Sequence, residues 1–190
     1  MASTTHAEAI KGVEAIFERY LLIARSQNFT GFDRHLMSTV SIIDASPEGT
    51  VTFDLLIDER YSNINGVMHG GPRGSSLICV LRLRWDRLRG RGFGSMGLFS
   101  FLGGVTRSLN ISYLRAIPIG TTVRITSTVM QIGRTMALIR GTMSSRDGST
   151  VYCTCEHHKV AVPTRKEHLE YRVAWDGVWE GKGKDGKAKL

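Results

Sequence analysis

The residues of this chain that are best suited to chemistry lie in one short run, N-I-N-G-V-M-H-G-G, from Asn63 to Gly71. A His-Gly-Gly triplet that follows strand-like sequence suits a loop that turns into a helix. Glycine lacks a Cβ atom, so a ligand can approach the backbone closely, and the first amides of a helix carry partial positive charge. The run therefore predicts a site that binds an oxyanion. The alternative interpretation is that N-G and H-G-G only form turns.

The elements that would hold this loop follow from periodicity. Thr5 and Glu8 have the spacing of a capping box, and apolar residues then recur at helical intervals up to Ala24. Alternation predicts strands at about 39–44, 50–58, 105–114, 122–132, 135–144 and 150–162, with a central helix that begins near His69. An antiparallel sheet of five or six strands must bury one face, and one helix laid across it does so economically. The predicted class is α+β.

Length and composition indicate one domain with flanking segments. At 190 residues the chain can bury a real core. We expect a helix and linker at 1–36, the sheet domain at 37–162, and a mobile extension at 163–190 that is rich in glycine and lysine, although Trp175 and Trp179 could dock. Because the sequence shows neither a membrane-span pattern nor a signal-peptide pattern, we expect a soluble intracellular protein.

The cysteines and histidines do not form a metal-binding pattern. Cys79, Cys153 and Cys155 lack zinc spacing, and the last two should face the same side of a strand as buried apolar groups. His157 and His158 are adjacent in a predicted strand, so they point to opposite faces and cannot jointly bind one ion. Lys159 is expected to be a solvated charge. We predict no metal site.

A second run, G-G-V-T-R-S-L-N-I-S-Y-L-R, extends from Gly103 to Arg115 along a predicted strand. Together with N-x-x-G-x-x-H-G-G, it resembles the hotdog-fold acyl-CoA thioesterases of the phenylacetate-pathway type, over roughly Met37 to Val162. The resemblance implies a hotdog fold, in which the sheet wraps around the central helix. It also implies a cytoplasmic or mitochondrial hydrolase that needs no cofactor, because coenzyme A is part of the substrate.

The resemblance also implies roles for individual residues. The amide of Gly70 would bind the thioester carbonyl, Asn63 would position the scissile group or the attacking water, and Thr106 would hold that water. A carboxylate from the central helix would act as base or nucleophile. His69 could be the base instead, but the resemblance favours a structural hydrogen bond at the helix start. By resemblance, His69 and Gly71 also belong to the substrate-binding residues.

Coenzyme A carries phosphates, so an acyl-CoA enzyme needs cations near its tunnel mouth. By resemblance, one set of contacts comes from Tyr113, Leu114 and Arg115, and a second set comes from Gln131, Gly133, Arg134 and Thr135. Arg134 could bind a phosphate bidentately, or it could simply be a solvated turn charge. The active site of the family lies between two protomers, which predicts a dimer or a dimer of dimers.

The sequence departs from the family at the expected carboxylate, seven residues after Gly71, because that position is Ile78. Asp86 lies eight residues further along, roughly 12 Å on a helix, which is too far to replace it. Family members typically continue H-G-G with A-A-G-V-I-F-D-M. One coding string for that segment, read one base later, encodes P-R-G-S-S-L-I-C, which is the sequence from Pro72 to Cys79. We interpret about Pro72 to Gly94 as an out-of-frame or misassigned segment, and we expect slow or absent hydrolysis.

Three other functions were weighed. One is a non-catalytic acyl-CoA binder that kept the pocket, and another is a hotdog dehydratase, which is disfavoured because its paired Asp and His are not evident. The third is nucleic-acid binding through the arginines from Arg82 to Arg91. Six arginines and one aspartate within 72–94 contribute five of the eight formal positive charges. The missing Arg-Gly repeat and the missing binding fold leave this function the weakest of the three.

Overall fold

The computed structural model describes residues 5–71, 104–133, 135–163, 165–174 and 176. Two α-helices come first, α1 (His6–Ser26) and α2 (Phe32–Thr39). The strands are β1 (Ser41–Ala45), β2 (Thr50–Leu56), β3 (Val105–Tyr113), β4 (Thr122–Ile132), β5 (Met136–Ser145) and β6 (Val151–Val160). Short 3-10 helices occupy Glu59–Tyr61 and Lys166–Glu170. Gly70 and Gly71 are helical, and the rest of the predicted central helix lies outside the described residues.

The six strands form one sheet in the order β1-β2-β4-β5-β6-β3, and every neighbouring pair is antiparallel. This confirms the predicted α+β class and strand content, with boundaries within a few residues of those expected. Strand β3 lies at one edge of the sheet, because it pairs with β6 and with no other described strand. The backbone groups on its outer side are therefore open to another chain.

The buried face of the sheet is built from alternate side chains of neighbouring strands. Phe53 on β2, Ile125 on β4 and Cys153 on β6 are each fully buried. Their two-residue alternation with more exposed residues is the period that was read from the sequence. Burial of one such phenylalanine contributes roughly 1.5–3 kcal/mol to folding.

Helix α1 covers the β1–β2 end of this face. The predicted capping box is present, with Thr5 and Glu8 bonded reciprocally. Val13 and Phe17, four residues apart, are buried, and the Phe17 ring centroid lies 6.0 Å from that of Phe53. The helix is therefore fixed on the sheet by the apolar stripe that predicted it.

Helix α2 was not predicted, since this region was read as a linker that runs into a strand at Thr39. Leu36 is fully buried and Met37 nearly so, and Thr39 is the last helical residue. With eight residues, the helix is too short to give a clear periodic signal, and burial of these side chains stabilises it instead.

The extension that was expected to be mobile from residue 163 is partly held in place. Arg19 of α1 is 5% exposed; its side chain donates to the Tyr171 carbonyl oxygen at 3.2 Å and also bonds to the Asp176 carboxylate. A buried arginine requires such partners, so part of the extension contacts α1, and its mobility stays a prediction. Trp175 and Trp179 lie outside the described residues.

Within the described ranges, no helix has the length and apolar character that a membrane crossing requires.

Candidate active site

The loop that leads into the Gly70 helix is anchored by buried residues on both sides. Tyr61 is fully buried and packs edge-on against the Phe32 ring, with 5.6 Å between centroids. Its carbonyl oxygen accepts from the His69 amide at 2.8 Å, and the Met68 amide donates to the Ile117 carbonyl oxygen at 2.8 Å. The backbone just before the two glycines is thus held at a fixed position relative to the sheet.

Asn63 organises the tight turn inside this loop. Its Oδ1 atom accepts from the amides of Asn65 at 2.9 Å and Val67 at 3.4 Å. Gly66 completes the turn with a φ of +69°, a conformation that glycine adopts without strain. Since backbone amides occupy the oxygen, the NH2 end of the Asn63 side chain is the end that can donate to a ligand.

His69 caps the start of the helix with its ring. Its Nδ1 atom accepts from the Gly71 amide at 3.1 Å, and the side chain is otherwise exposed. The ring nitrogen that carries the lone pair is therefore engaged in a local bond, which is the structural arrangement that the resemblance favoured over a base. The Gly71 amide donates to this ring in the single chain, and its predicted role in substrate binding stays a prediction.

Gly70 presents the amide that remains. Among the described residues, none accepts a hydrogen bond from its N–H group. The Tyr113 hydroxyl donates to the Gly70 carbonyl oxygen at 2.8 Å, so the end of β3 supports the helix start from one side. This contact brings together Gly70 and Tyr113 from the predicted set, with Asn63 earlier in the same loop as Gly70 and with Leu114 and Arg115 directly after Tyr113 in the chain.

Thr106 lies elsewhere, near the beginning of β3, and a β-bulge sets its direction. Thr106 pairs with Lys159 and Ser108 pairs with His158, which leaves Arg107 as the extra residue. A bulge of one residue reverses the alternation of the strand, so Thr106 shares the inner face with Leu109. Without the bulge, the hydroxyl would point to the opposite side of the sheet.

The Thr106 hydroxyl has a partner that the sequence did not reveal. Its Oγ1 atom lies 2.9 Å from Nε2 of His157, whose residue is 0% exposed. His157 was considered only as a metal ligand, and the contact depends on the bulge in β3, which leaves no pattern in a single sequence. Thr106 itself is exposed, so the pair links a surface hydroxyl to a buried imidazole.

The predicted site residues fall at two ends of β3. Asn63, Gly70 and Tyr113 mark one end, where Leu114 and Arg115 donate their amides to the Tyr152 carbonyl oxygen. Thr106 lies at the other end, together with Gln131 near the end of β4 and with Gly133 and Thr135 in the β4–β5 turn. Met136, which follows this turn, pairs with Val160, and Val160 pairs with Val105. Seven residues separate Thr106 from Tyr113, roughly 23 Å along a strand, so one chain does not bring the two groups together.

Two expectations about side chains near this site have clear outcomes. Lys159 was predicted to be solvated, but it is 2% exposed, because its position alternates with exposed residues onto the inner face of β6. That prediction was wrong. Cys153 and Cys155 are buried, as predicted, and burial raises the pKa of Cys155 to about 11. This thiol is therefore not a nucleophile at neutral pH.

Some predicted residues lie outside the described part of the chain. These are Ile78, Arg134 and the arginines from Arg82 to Arg91. Their proposed roles stay predictions from the sequence. Among the described residues, no cluster of three or more His, Cys, Asp or Glu side chains could hold a metal ion.

Comparison with known proteins shows which family part of this chain resembles. The model of the Thioesterase superfamily matches residues 86–152, which include β3, β4, β5 and the start of β6. The matched residues are therefore similar to that superfamily. The match begins inside the segment 72–94 and leaves the Asn63–Gly71 loop outside it.

Individual relatives agree with this match. Mouse acyl-coenzyme A thioesterase 13 is 24% identical over 129 residues, which cover 68% of this chain and 84% of that protein. The Escherichia coli PaaI protein of the phenylacetic acid degradation operon has a TM-score of 0.59 at 16% identity, covering 84% of this chain and 96% of PaaI. A hypothetical thioesterase from Streptococcus pneumoniae TIGR4, solved with coenzyme A, has a TM-score of 0.51 at 20% identity, covering 67% of this chain and 91% of that one.

These findings confirm the predicted resemblance and the hotdog fold. By its resemblance to the superfamily model and to the mouse thioesterase, the chain is similar to thioester hydrolases. The similarity to solved structures supports the fold, and the roles of individual residues rest on the geometry described above.

Proposed function

We propose that this protein hydrolyses an acyl-CoA thioester to a carboxylic acid and coenzyme A at a site formed between two copies of the chain. The observation that supports the proposal most directly is the Gly70 amide at a helix start, at the end of the loop in which the side-chain NH2 of Asn63 is the end that can donate. Two donors fixed by the surrounding loop suit an oxygen that becomes negatively charged during reaction. The comparisons supply the class of reaction.

The chemistry then follows from the two groups of residues. The thioester carbonyl oxygen accepts from the Gly70 amide and from the side chain of Asn63, which polarises the carbonyl carbon. Water held by Thr106 attacks that carbon, and the two donors stabilise the tetrahedral oxyanion. Collapse of the intermediate breaks the carbon–sulfur bond, the sulfur leaves with the bonding electron pair, and a proton lost by the attacking water passes to it, which gives the free acid and coenzyme A thiol.

Assembly of the site requires a second copy because the two groups lie at opposite ends of β3. Strand β3 is an open edge, and antiparallel pairing of two such edges reverses their direction. If the pair is centred on Leu109, Thr106 of the second copy lies beside Ser112 and Tyr113 of the first. The same pairing brings the β4–β5 turn of one copy toward Arg115 of the other, which would gather the proposed contacts to coenzyme A.

The edge also has the side chains of an interface. Val105 is 44% exposed, Tyr113 is 49% exposed and Leu114 is 57% exposed in the single chain. Apolar side chains along an unpaired strand favour association with another strand. We therefore expect a homodimer, either alone or within a dimer of dimers.

The position expected to hold the carboxylate is occupied by Ile78, so we expect slow turnover. Loss of a general base typically lowers the rate by about 10²–10⁴-fold. The same substitution favours a second candidate function, a non-catalytic protein that binds acyl-CoA and does not hydrolyse it. The acyl group of the substrate, fatty or aryl, is left to experiment.

One set of assays separates these functions. Release of the coenzyme A thiol is followed with fatty and aryl acyl-CoA substrates for the natural chain, Asn63→Asp and Ile78→Asp, and binding is measured by calorimetry. The aspartate at position 63 keeps the oxygen that accepts from Asn65 and Val67, but it removes the donor. We expect slow hydrolysis by the natural chain, a loss of about 100-fold in Asn63→Asp, and a gain of about 100-fold or more in Ile78→Asp.

The outcomes distinguish the candidates. Binding of acyl-CoA with no hydrolysis by the natural chain or by Ile78→Asp would support the non-catalytic binder. Absence of both binding and hydrolysis would refute the proposed function. Retention on a phosphate resin that weakens steeply with salt would favour nucleic-acid binding instead.

A further inference from the structure

We propose that His157 accepts the proton of the attacking water through the hydroxyl of Thr106, and so partly replaces the carboxylate that this chain lacks. The inference rests on the proposed hydrolysis and adds to it a positioning residue that acts through Thr106. Its basis is the 2.9 Å contact between Thr106 Oγ1 and His157 Nε2.

The two side chains differ sharply in their access to solvent. His157 is 0% exposed, whereas Thr106 lies on the exposed edge strand. A water molecule outside the chain can therefore contact the hydroxyl but not the imidazole. Any proton that the imidazole takes from that side must pass through the hydroxyl.

The surroundings favour a neutral imidazole that accepts from Thr106. Burial of a charged ring away from water is costly, and the buried side chain of Lys159 lies two residues further along the same face of β6. A neutral ring with an unprotonated Nε2 receives the hydroxyl hydrogen. The Thr106 oxygen then turns its lone pairs toward the water.

The proton transfers balance in both steps. As the water oxygen bonds to the thioester carbon, one water proton moves to Thr106 Oγ1 and the Thr106 proton moves to His157 Nε2. When the tetrahedral intermediate collapses, the carbon–sulfur bond breaks and the sulfur leaves with the electron pair. The proton returns from His157 through Thr106 to that sulfur, which gives coenzyme A thiol, the free acid and the original neutral pair.

The bulge in β3 is what makes this pair. Ser108 pairs with His158 on the opposite face of the sheet. Without the bulge, Thr106 would lie on that face too, away from His157 and Lys159. Bulges often re-aim a side chain next to an active site. The position of this bulge is therefore consistent with a functional contact.

The test compares His157→Gln, His157→Leu and Thr106→Val with the natural chain in acyl-CoA hydrolysis. Glutamine can keep a hydrogen bond to Thr106 near the Nε2 position, but it cannot take up a proton. We expect Gln and Leu to lower kcat alike, by about 100-fold with KM within about threefold. In the Thr106→Val background, replacement of His157 should have no further effect, because the relay is already broken.

The outcomes separate this inference from the proposed function. If His157→Gln keeps the natural kcat, His157 only orients the hydroxyl and the relay is refuted while hydrolysis stands. If the effects of Thr106→Val and His157→Leu multiply, the two residues act independently and the relay is again refuted. If the natural chain does not hydrolyse acyl-CoA, the proposed function fails first and the relay fails with it. Thermal melting and coenzyme A binding of each variant show whether the fold and the pocket are intact.

Discussion

A mixture of two inactive variants should recover activity if the site is shared between chains. Asn63→Asp damages the group of residues near Tyr113, and Thr106→Val damages the group at the other end of β3. In a dimer of one variant, both sites carry the same defect. In a mixed dimer, both defects fall into one site, and the second site has neither.

The expected recovery follows from counting. Purification through two different affinity tags keeps only mixed dimers, and one of the two sites in each mixed dimer is intact, so activity should reach about half of that of the natural protein. Each variant alone should retain about 1% or less. Recovery requires two chains because Thr106 and Tyr113 of one chain are roughly 23 Å apart along β3, whereas a water bridge spans only two hydrogen bonds.

The assay is coenzyme A release after co-expression of the two variants with different affinity tags and purification through both tags. A matched control mixes Asn63→Asp with Gly70→Ala, which damage the same group and should not complement. If the Thr106 mixture stays at the level of its components although both tags co-purify in a species that light scattering shows to be a dimer, the site is not shared. A stable monomer that hydrolyses substrate would also refute the shared site.

Three further predictions follow. In Gly70→Ala, the added Cβ would lie 3.6 Å from Cζ of Tyr113, which is an ordinary contact. The melting temperature should therefore stay unchanged, while kcat should fall about 10–100-fold because the methyl group displaces the substrate. A lower melting temperature with normal kcat would contradict this prediction. Because its pKa is raised to about 11, Cys155 should react with iodoacetamide at pH 8 about 100-fold more slowly than in the unfolded chain, and equal rates would show that the thiol is accessible. Sequencing of the transcript across residues 72–94 should reveal a frame change or a misassigned exon boundary, and an uninterrupted frame that encodes these residues would dismiss the hypothesis.

Much of the fold could be predicted because its signals are local. The Thr5–Glu8 capping box and the alternation along β4 each reflect a contact within a few residues, and both are present as expected. Helix α2 was missed because its stability depends on the burial of Leu36 and Met37 among distant residues. The contacts of Arg19 with Tyr171 and Asp176 were not predicted for a related reason, since these residues are far apart in sequence.

The candidate site shows the same limit more sharply. The His-Gly-Gly loop could be located because its residues are adjacent, and the role of the His69 ring at the helix start follows from that adjacency. The contact between Thr106 and His157 depends on the extra residue Arg107 in β3. Sequence alternation alone would have placed Arg107, and not Thr106, on the inner face. The resemblance named Thr106 but offered it no partner within the chain.

The two ends of β3 connect these findings. One end holds the donors that suit an oxyanion, and the other holds a hydroxyl coupled to a buried imidazole. Neither half is sufficient for hydrolysis, because polarisation without an oriented water, or a water without a polarised carbonyl, leaves most of the barrier in place. An antiparallel pair of edge strands places unlike ends side by side on both halves of the dimer, so a single mode of association completes two equivalent sites. Activity should therefore depend on the β3 edge as strictly as on Gly70, and a charge placed at Val105 or Leu114 should abolish dimerisation and turnover together.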